Sequence, residues 1–415
     1  MLNIKTILFK FKNLALISLS ILLFSRIQLP TNKKTRHITV FIHGTFMPGL
    51  AFLNPFKTYN QTIDNNDRYY KCLKKLRLDP ILYQDAIMLE EGLQKIDSTI
   101  LSQYCQFNLM PAHSKKGAYQ AIGAYDMIHK YINKTSLNNH EYYTFGFSGI
   151  LSDQYRKEAG HDLYKELYKI VKKNSKDNYK TIINLCSYSH GGNVSLYLAQ
   201  AEDYYKKNIK VDKLILYGTP IQKETALFVE HKIFKNVYSF YSQADGVQHN
   251  DSFSTSSSQS FKTFKEFYAN NNCDNTKVID IRLLAQDDPA IFGHFNFWYF
   301  NRYENWPNKS KEIDEVYTSL NPLPIAILTP IFIYLINKSS NIKELDISIK
   351  SEDQKLKIVL LDTINNQILC ISPEINQLIE KIQNYAKTSW QPYSKADETT
   401  KLGVSILAAL QSLIY

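Results

Sequence analysis

This 415-residue sequence predicts an α/β fold, with a mainly parallel central sheet flanked by helices, on three observations. Short runs rich in β-branched and apolar residues recur along the chain, separated by stretches long enough for a helix or crossover. One of these runs passes straight into a helical pattern through a serine- and glycine-rich turn. Hydrophobic residues make up 44% of the chain, enough for at least one full-sized core. With 14 Gly, 13 Pro and no fixed-period repeat, collagen-like, solenoid and wholly disordered chains are excluded.

Taken in order, the chain opens with Lys5, Lys10 and Lys12, and the apolar block 14–24 follows before Arg26 interrupts it. Basic residues ahead of a short apolar block form the pattern of an export signal. No clean small-x-small cleavage site follows, so a cleaved signal and an uncleaved, short transmembrane anchor both fit residues 1–30. With the positive charge held inside, the main domain is expected outside the cytoplasm, and membrane association is expected through the N-terminus. The run 37–42 reads as a strand that delivers His43-Gly44-Thr45-Phe46. Residues 50–135 form a helical insertion with candidate helices at about 84–104 and 115–132. A strand follows at 141–147 and a periodic helix near 153–173. The block 180–205 begins as an apolar strand and ends as a helix whose Val194, Leu198 and Ala201 share a face. Further strands are expected at 213–217, 237–241 and 277–282, with 252–260 a low-complexity loop.

Beyond residue 310 the texture changes, and 311–415 reads as a small α+β C-terminal addition to a 31–310 domain. The apolar segment 323–336 carries Pro324 and Pro330, which suits a buried helix better than a membrane span. Segments 343–349, 356–361 and 367–371 read as strands, Ser372-Pro373 opens a helix, and 402–415 carries a last apolar stripe.

The net charge of +10 is spread over ordinary helix faces such as Lys165, Lys169, Lys172 and Lys173. It lacks the interleaved aromatics of a strand-binding platform, so no nucleic-acid partner is expected, and no specific protein partner can be inferred. The five cysteines are odd in number and widely spaced, so they make neither a metal knuckle nor a disulfide scaffold. Cys72 with Cys105 is a conceivable bridge in an exported chain, and Cys186 reads as buried packing.

The chemistry concentrates in Ser187-Tyr188-Ser189-His190-Gly191-Gly192, at a strand-to-helix junction. A sharp turn there lifts the Ser189 hydroxyl above the sheet, while small neighbours let strand and helix approach. Ser187 stands where the G-x-S-x-G pattern has its first glycine, and is a lesser rival nucleophile. The helix beginning at His190 aims backbone N–H groups at the position where an oxyanion develops. Thr45, with Phe46 next to it, is expected to supply the second donor, and His43 to organise that loop together with Gly44.

On these residues the chain resembles the α/β-hydrolase fold family of the lipase/esterase type over about 37–300. The resemblance implies a nucleophile, acid, histidine order, with the last two on loops after later strands. That order assigns Asp245, after 237–241, as the acid and His294, after 277–282, as the base. Asp251, Asp212 and Asp287-Asp288 are rival acids, and His249 and His231 rival bases. The aromatics Phe292, Phe295, Phe297 and Trp298 around His294 read as core or as an acyl-pocket wall. The activity implied is acyl transfer from a carboxylic ester, plausibly a small-molecule or lipid ester. The same triad serves amide, peptide or thioester cleavage, and a catalytically inactive binding protein is the rival class. No zinc-protease, P-loop, dinucleotide or C-x-x-C motif is present, so no metal and no cofactor are expected.

Overall fold

Hydrophobic alternation along the early strand sets the layering. In Lys34–Ile42, Ile38, Val40 and Ile42 are buried with one set of helices, while Phe41 joins a second cluster on the other face of the sheet. The computed structural model describes residues 34–45, 51, 53–77, 86–105, 117–133, 139–249, 251, 254–255, 259–271, 277–285, 293–300, 320, 323–338, 344–352, 355–361 and 368–388.

In chain order the elements are β1 (Lys34–Ile42), α1 (Pro55–Tyr59), α2 (Arg68–Leu76), β2 (Gly92–Lys95), α3 (Ser98–Cys105), α4 (Gly117–Asn133), β3 (His140–Gly146), α5 (Asp153–Lys176) and β4 (Tyr179–Tyr188). They continue with α6 (His190–Leu196), α7 (Leu198–Tyr205), β5 (Val211–Tyr217), β6 (Ile221–Gln222), β7 (Phe234–Tyr241), α8 (Gly246–His249), β8 (Ser260–Phe261), α9 (Phe264–Asn271) and β9 (Val278–Ala285). The last are α10 (Thr329–Lys338), β10 (Glu344–Glu352), β11 (Lys355–Leu361), β12 (Ile368–Cys370) and α11 (Pro373–Thr388).

Among the described residues one ten-stranded sheet runs in the order β12-β11-β10-β9-β7-β5-β4-β1-β3-β2. Every pair from β3 across to β10 is parallel, and only β2, β11 and β12 join antiparallel at the margins. The α/β class with a mostly parallel sheet is therefore the fold. Residues of α5, α6, α7 and α9 pack on one face, and residues of α4, α10 and α11 on the other. Phe41, Phe240 and Phe332 are buried to within 1% on the second face, where each such side chain contributes roughly 2 kcal/mol.

Several expectations are corrected. The helix read over 84–104 is in fact strand β2, paired with β3, followed by helix only from Ser98. Gly92 has φ +84°, which interrupts helix and opens the edge pairing. The helix after Ser189 is broken at Tyr197 into α6 and α7. The strands read as a C-terminal addition extend the central sheet itself, because β10 lies parallel to β9 with Asp346 opposite Arg282. Their charges pair through Arg282 Nη2 and Asp346 Oδ2 at 2.6 Å. Cys72 carries a free thiol, so it makes no bridge to Cys105, and Cys186 is a fully buried thiol. As expected, the apolar segment near 323–336 is buried, as the turn Ile325–Leu328 followed by α10. No described helix is long and apolar enough to cross a membrane. The candidate signal or anchor at 1–30 and the stripe at 402–415 lie outside the described residues.

Candidate active site

Parallel strands point their carboxyl ends the same way, and the candidate residues all leave the sheet at that edge. Ser189 follows β4 directly, with φ 51° and ψ −131°. This is a sharply turned backbone outside the broad wells of a non-glycine residue. Its N–H donates to the Tyr217 carbonyl at 2.8 Å, which ties the turn to β5. Gly191 packs on the His43 carbonyl and Gly192 on the Thr219 side chain. A methyl group at Gly44 would stand 2.6 Å from Ser189 Cβ, so the end of β1 lies against the serine only because residue 44 has no side chain. Ser187 is fully buried, with its hydroxyl 2.7 Å from Ser195 Oγ. It fills the first-glycine position of the turn by finding a polar partner inside.

Ser189 Oγ lies 2.9 Å from His294 Nε2, and His294 Nδ1 lies 2.7 Å from Asp245 Oδ2. The three groups thus form one hydrogen-bonded chain, and their exposures are 3%, 4% and 0% respectively. Asp245 sits in the turn after β7, where its N–H donates to Ser242 O at 3.2 Å and its Oδ1 accepts from Gln248 N–H at 3.0 Å. His294 opens the short helical turn His294–Phe297, and its ring leans on Tyr188 at a centroid distance of 4.9 Å. Because both ring nitrogens of His294 are engaged, its orientation toward Ser189 is fixed before any ligand arrives.

The remaining candidates separate clearly. His43 is buried, bonds Gly44 O through Nδ1 at 2.7 Å, and accepts the Phe147 N–H on Nε2 at 3.1 Å. Burial, reinforced by Arg77, pulls its pKa down to about 3, so it is a neutral loop-organising ring. Thr45 lies just past β1, beside that loop, while Phe46 lies outside the described residues. His190 begins α6, where the first N–H groups of a helix have no intrahelical acceptor.

Among the rivals, Asp212 stands at the opposite end of β5 and pairs with Lys213 and Lys235. His231 pairs with Asp203. Asp287, Asp288, Phe292 and the His249 side chain lie outside the described residues. Phe297 and Trp298 are core, with Trp298 Nε1 donating to Ile87 O at 2.9 Å, whereas Phe295 is only half-buried.

Asp251 has a different place from the one weighed for it. Its Oδ2 is 3.3 Å from His190 Nε2 and accepts from Gln222 Nε2 at 2.8 Å and from the Ser254 hydroxyl. Arg156, fully buried, donates to Gln222 Oε1 at 3.0 Å and to Ser254 O. Burial opposes the charge on Asp251, and His190, Ser254 and Arg156 together outweigh it, holding the carboxyl below its usual range. This network braces the residue after Ser189. Nothing in the spacing reveals it, since it joins positions 156, 190, 222 and 251 and part of it lies in a loop that reads as low complexity. Gly218 was also missed as a site residue, although its place at the end of an apolar strand before Thr219-Pro220 marked a turn. Among the described residues no cluster of His, Cys, Asp or Glu is arranged to hold a metal ion.

A solved structure offers a distant likeness. It is described as "the putative cell surface hydrolase from Lactobacillus plantarum WCFS1". The likeness has 11% sequence identity and a TM-score of 0.23, and covers 90% of this chain and 98% of that one. A TM-score of that size carries no weight for the site. No family model matches the chain, and no curated protein matches it in sequence.

Proposed function

We propose that this protein is a serine hydrolase of carboxylic esters, with Ser189 as nucleophile, His294 as base and Asp245 as the acid that orients it. The observation that carries the reading is the continuous chain from Ser189 Oγ through His294 to Asp245, set on a strained turn at the carboxyl edge of a parallel sheet. In the reaction His294 takes the Ser189 proton as Oγ bonds to the ester carbon. The backbone N–H groups of His190 and Thr45 receive the oxyanion. The carbon–oxygen bond to the alcohol then breaks, with the proton from His294 going to the leaving oxygen. Water, deprotonated by the same ring, attacks the acyl-enzyme, and the regained proton returns to Ser189 as the acid departs. The half-buried ring of Phe295 beside the histidine, with Tyr299 packed against it, favours an apolar acyl group.

A fluorophosphonate probe is expected to label the folded protein at Ser189, and Ser189→Ala to abolish labelling and lower ester turnover by about 10⁴-fold or more. A folded wild-type chain that resists the probe overturns the reading. Turnover of p-nitrophenyl esters of graded acyl length then separates short-chain esterase from lipid-ester activity.

The basic and apolar pattern of residues 1–30 supports a location for this activity outside the cytoplasm, attached to or released from a membrane. Protease added to intact cells should degrade the main domain, and full protection there contradicts export.

A further inference from the structure

We propose that α1 and the outer face of α2 form a docking surface for an anionic lipid bilayer. Residues 68–75 of α2 read Arg-Tyr-Tyr-Lys-Cys-Leu-Lys-Lys, with four basic and no acidic side chains. At 3.6 residues per turn Arg68, Lys71, Lys74 and Lys75 fall within about a third of the helix circumference. Tyr69 and Leu73 lie on the opposite side and are buried to within 1%. The four cationic residues are exposed and have no ion pair among the described residues. Neighbouring acids are already engaged: Asp67 accepts from Lys57 and Asn54, Asp64 lies 3.6 Å from Lys57, and Glu91 pairs with Arg77.

The second half of the argument is apolar. Phe56 is 78% exposed and Tyr59 is 54% exposed, on α1. The Lys57 and Asn54 bonds to Asp67, the residue that precedes α2, fasten α1 to α2, so aromatics and cations belong to one unit. That unit is anchored from beneath, because Tyr69 and Leu73 pack in a cluster with Ile63, Met88 and Ile150. A bilayer surface takes both features at once, anionic headgroups pairing with the cations and the acyl boundary receiving Phe56. Tyr299 packs against the same cluster and against Tyr188, whose ring touches His294, so the cluster beneath this surface is linked to the candidate active site through two aromatic rings. Presentation of that site to membrane esters rests on the hydrolase reading, whereas the docking itself does not.

The test uses the full chain carrying Phe56→Trp, mixed with phosphatidylcholine vesicles that have brominated acyl chains, with or without phosphatidylglycerol. Tryptophan quenching beyond that of the unsubstituted chain is expected on the phosphatidylglycerol vesicles. It should be lost when Lys71, Lys74 and Lys75 are changed to Glu, with partitioning about a hundredfold weaker. Circular dichroism of the triple variant should match the parent, since all three side chains point to solvent. Absence of excess quenching, equal quenching on neutral vesicles, or quenching that survives charge reversal overturns the proposal. Saturable binding to a DNA duplex with no response to vesicles overturns it too. Quenching is read without turnover, so a docked protein that a fluorophosphonate fails to label rejects the hydrolase reading alone.

Discussion

At the residue scale the site depends on how little room surrounds it. Gly218 has φ +56°, and a methyl group there would stand 2.9 Å from Asp245 Oδ2 and 3.2 Å from His294 Nδ1. Gly218→Ala is therefore expected to shift the acid and histidine apart and lower kcat by about a hundredfold, with a smaller effect on KM. A steady-state comparison of the two proteins checks this, and an unchanged kcat speaks against the tight packing described. Ser189 was readable from its strand-to-helix turn, whereas Asp245 and His294 came from the chain order that the family resemblance implies. Their brace was not readable, because Asp251 reaches His190 through tertiary packing that leaves no local spacing to detect. Ser187 illustrates the reverse case, a departure from the expected glycine that the structure absorbs through a single hydroxyl contact with Ser195.

At the scale of elements, titration and pairing can be argued together. His37 on β1 lies beside His140 on β3, and the His140 ring packs edge-on against His129 of α4. Burial, with the neighbouring histidines and lysines, lowers His140 to about 2, and burial lowers His129 to about 4. His43, at the far end of β1, falls to about 3. In the unfolded chain these rings titrate near 6.5, so there the unfolded state binds more protons and stability falls as pH drops below that value. His43 alone is expected to cost about 2 kcal/mol at pH 5 relative to pH 7.5. Urea midpoints measured across that interval should decline toward acid, and a flat profile contradicts the neutral buried state. Strands with unbroken β-branched runs were legible in the sequence. The strand β2 was not, since Gly-Leu-Gln-Lys carries no β-branched residue and is a strand only because β3 offers an edge.

At the scale of the whole molecule, the change of texture beyond residue 310 suggested a separate addition, yet composition does not reveal which strand a segment will pair with. Leu345, Ile347 and Ile349 of β10 are buried to within 2% and continue the same core as β9. A chain stopped after residue 343 would leave β9 as a long open edge and uncover that face. It is expected to be insoluble and unlabelled by fluorophosphonate, and a soluble, labelled product would show that the preceding strands suffice. The intact sheet ends quite differently. Among the described residues its outermost strands are β2, with 4 residues, and β12, with 3. Strands that short each offer a passing copy only a few unpaired amide and carbonyl groups. Many copies gathered side by side on one surface would then have little template for joining strand to strand, so local concentration could rise without seeding fibrils.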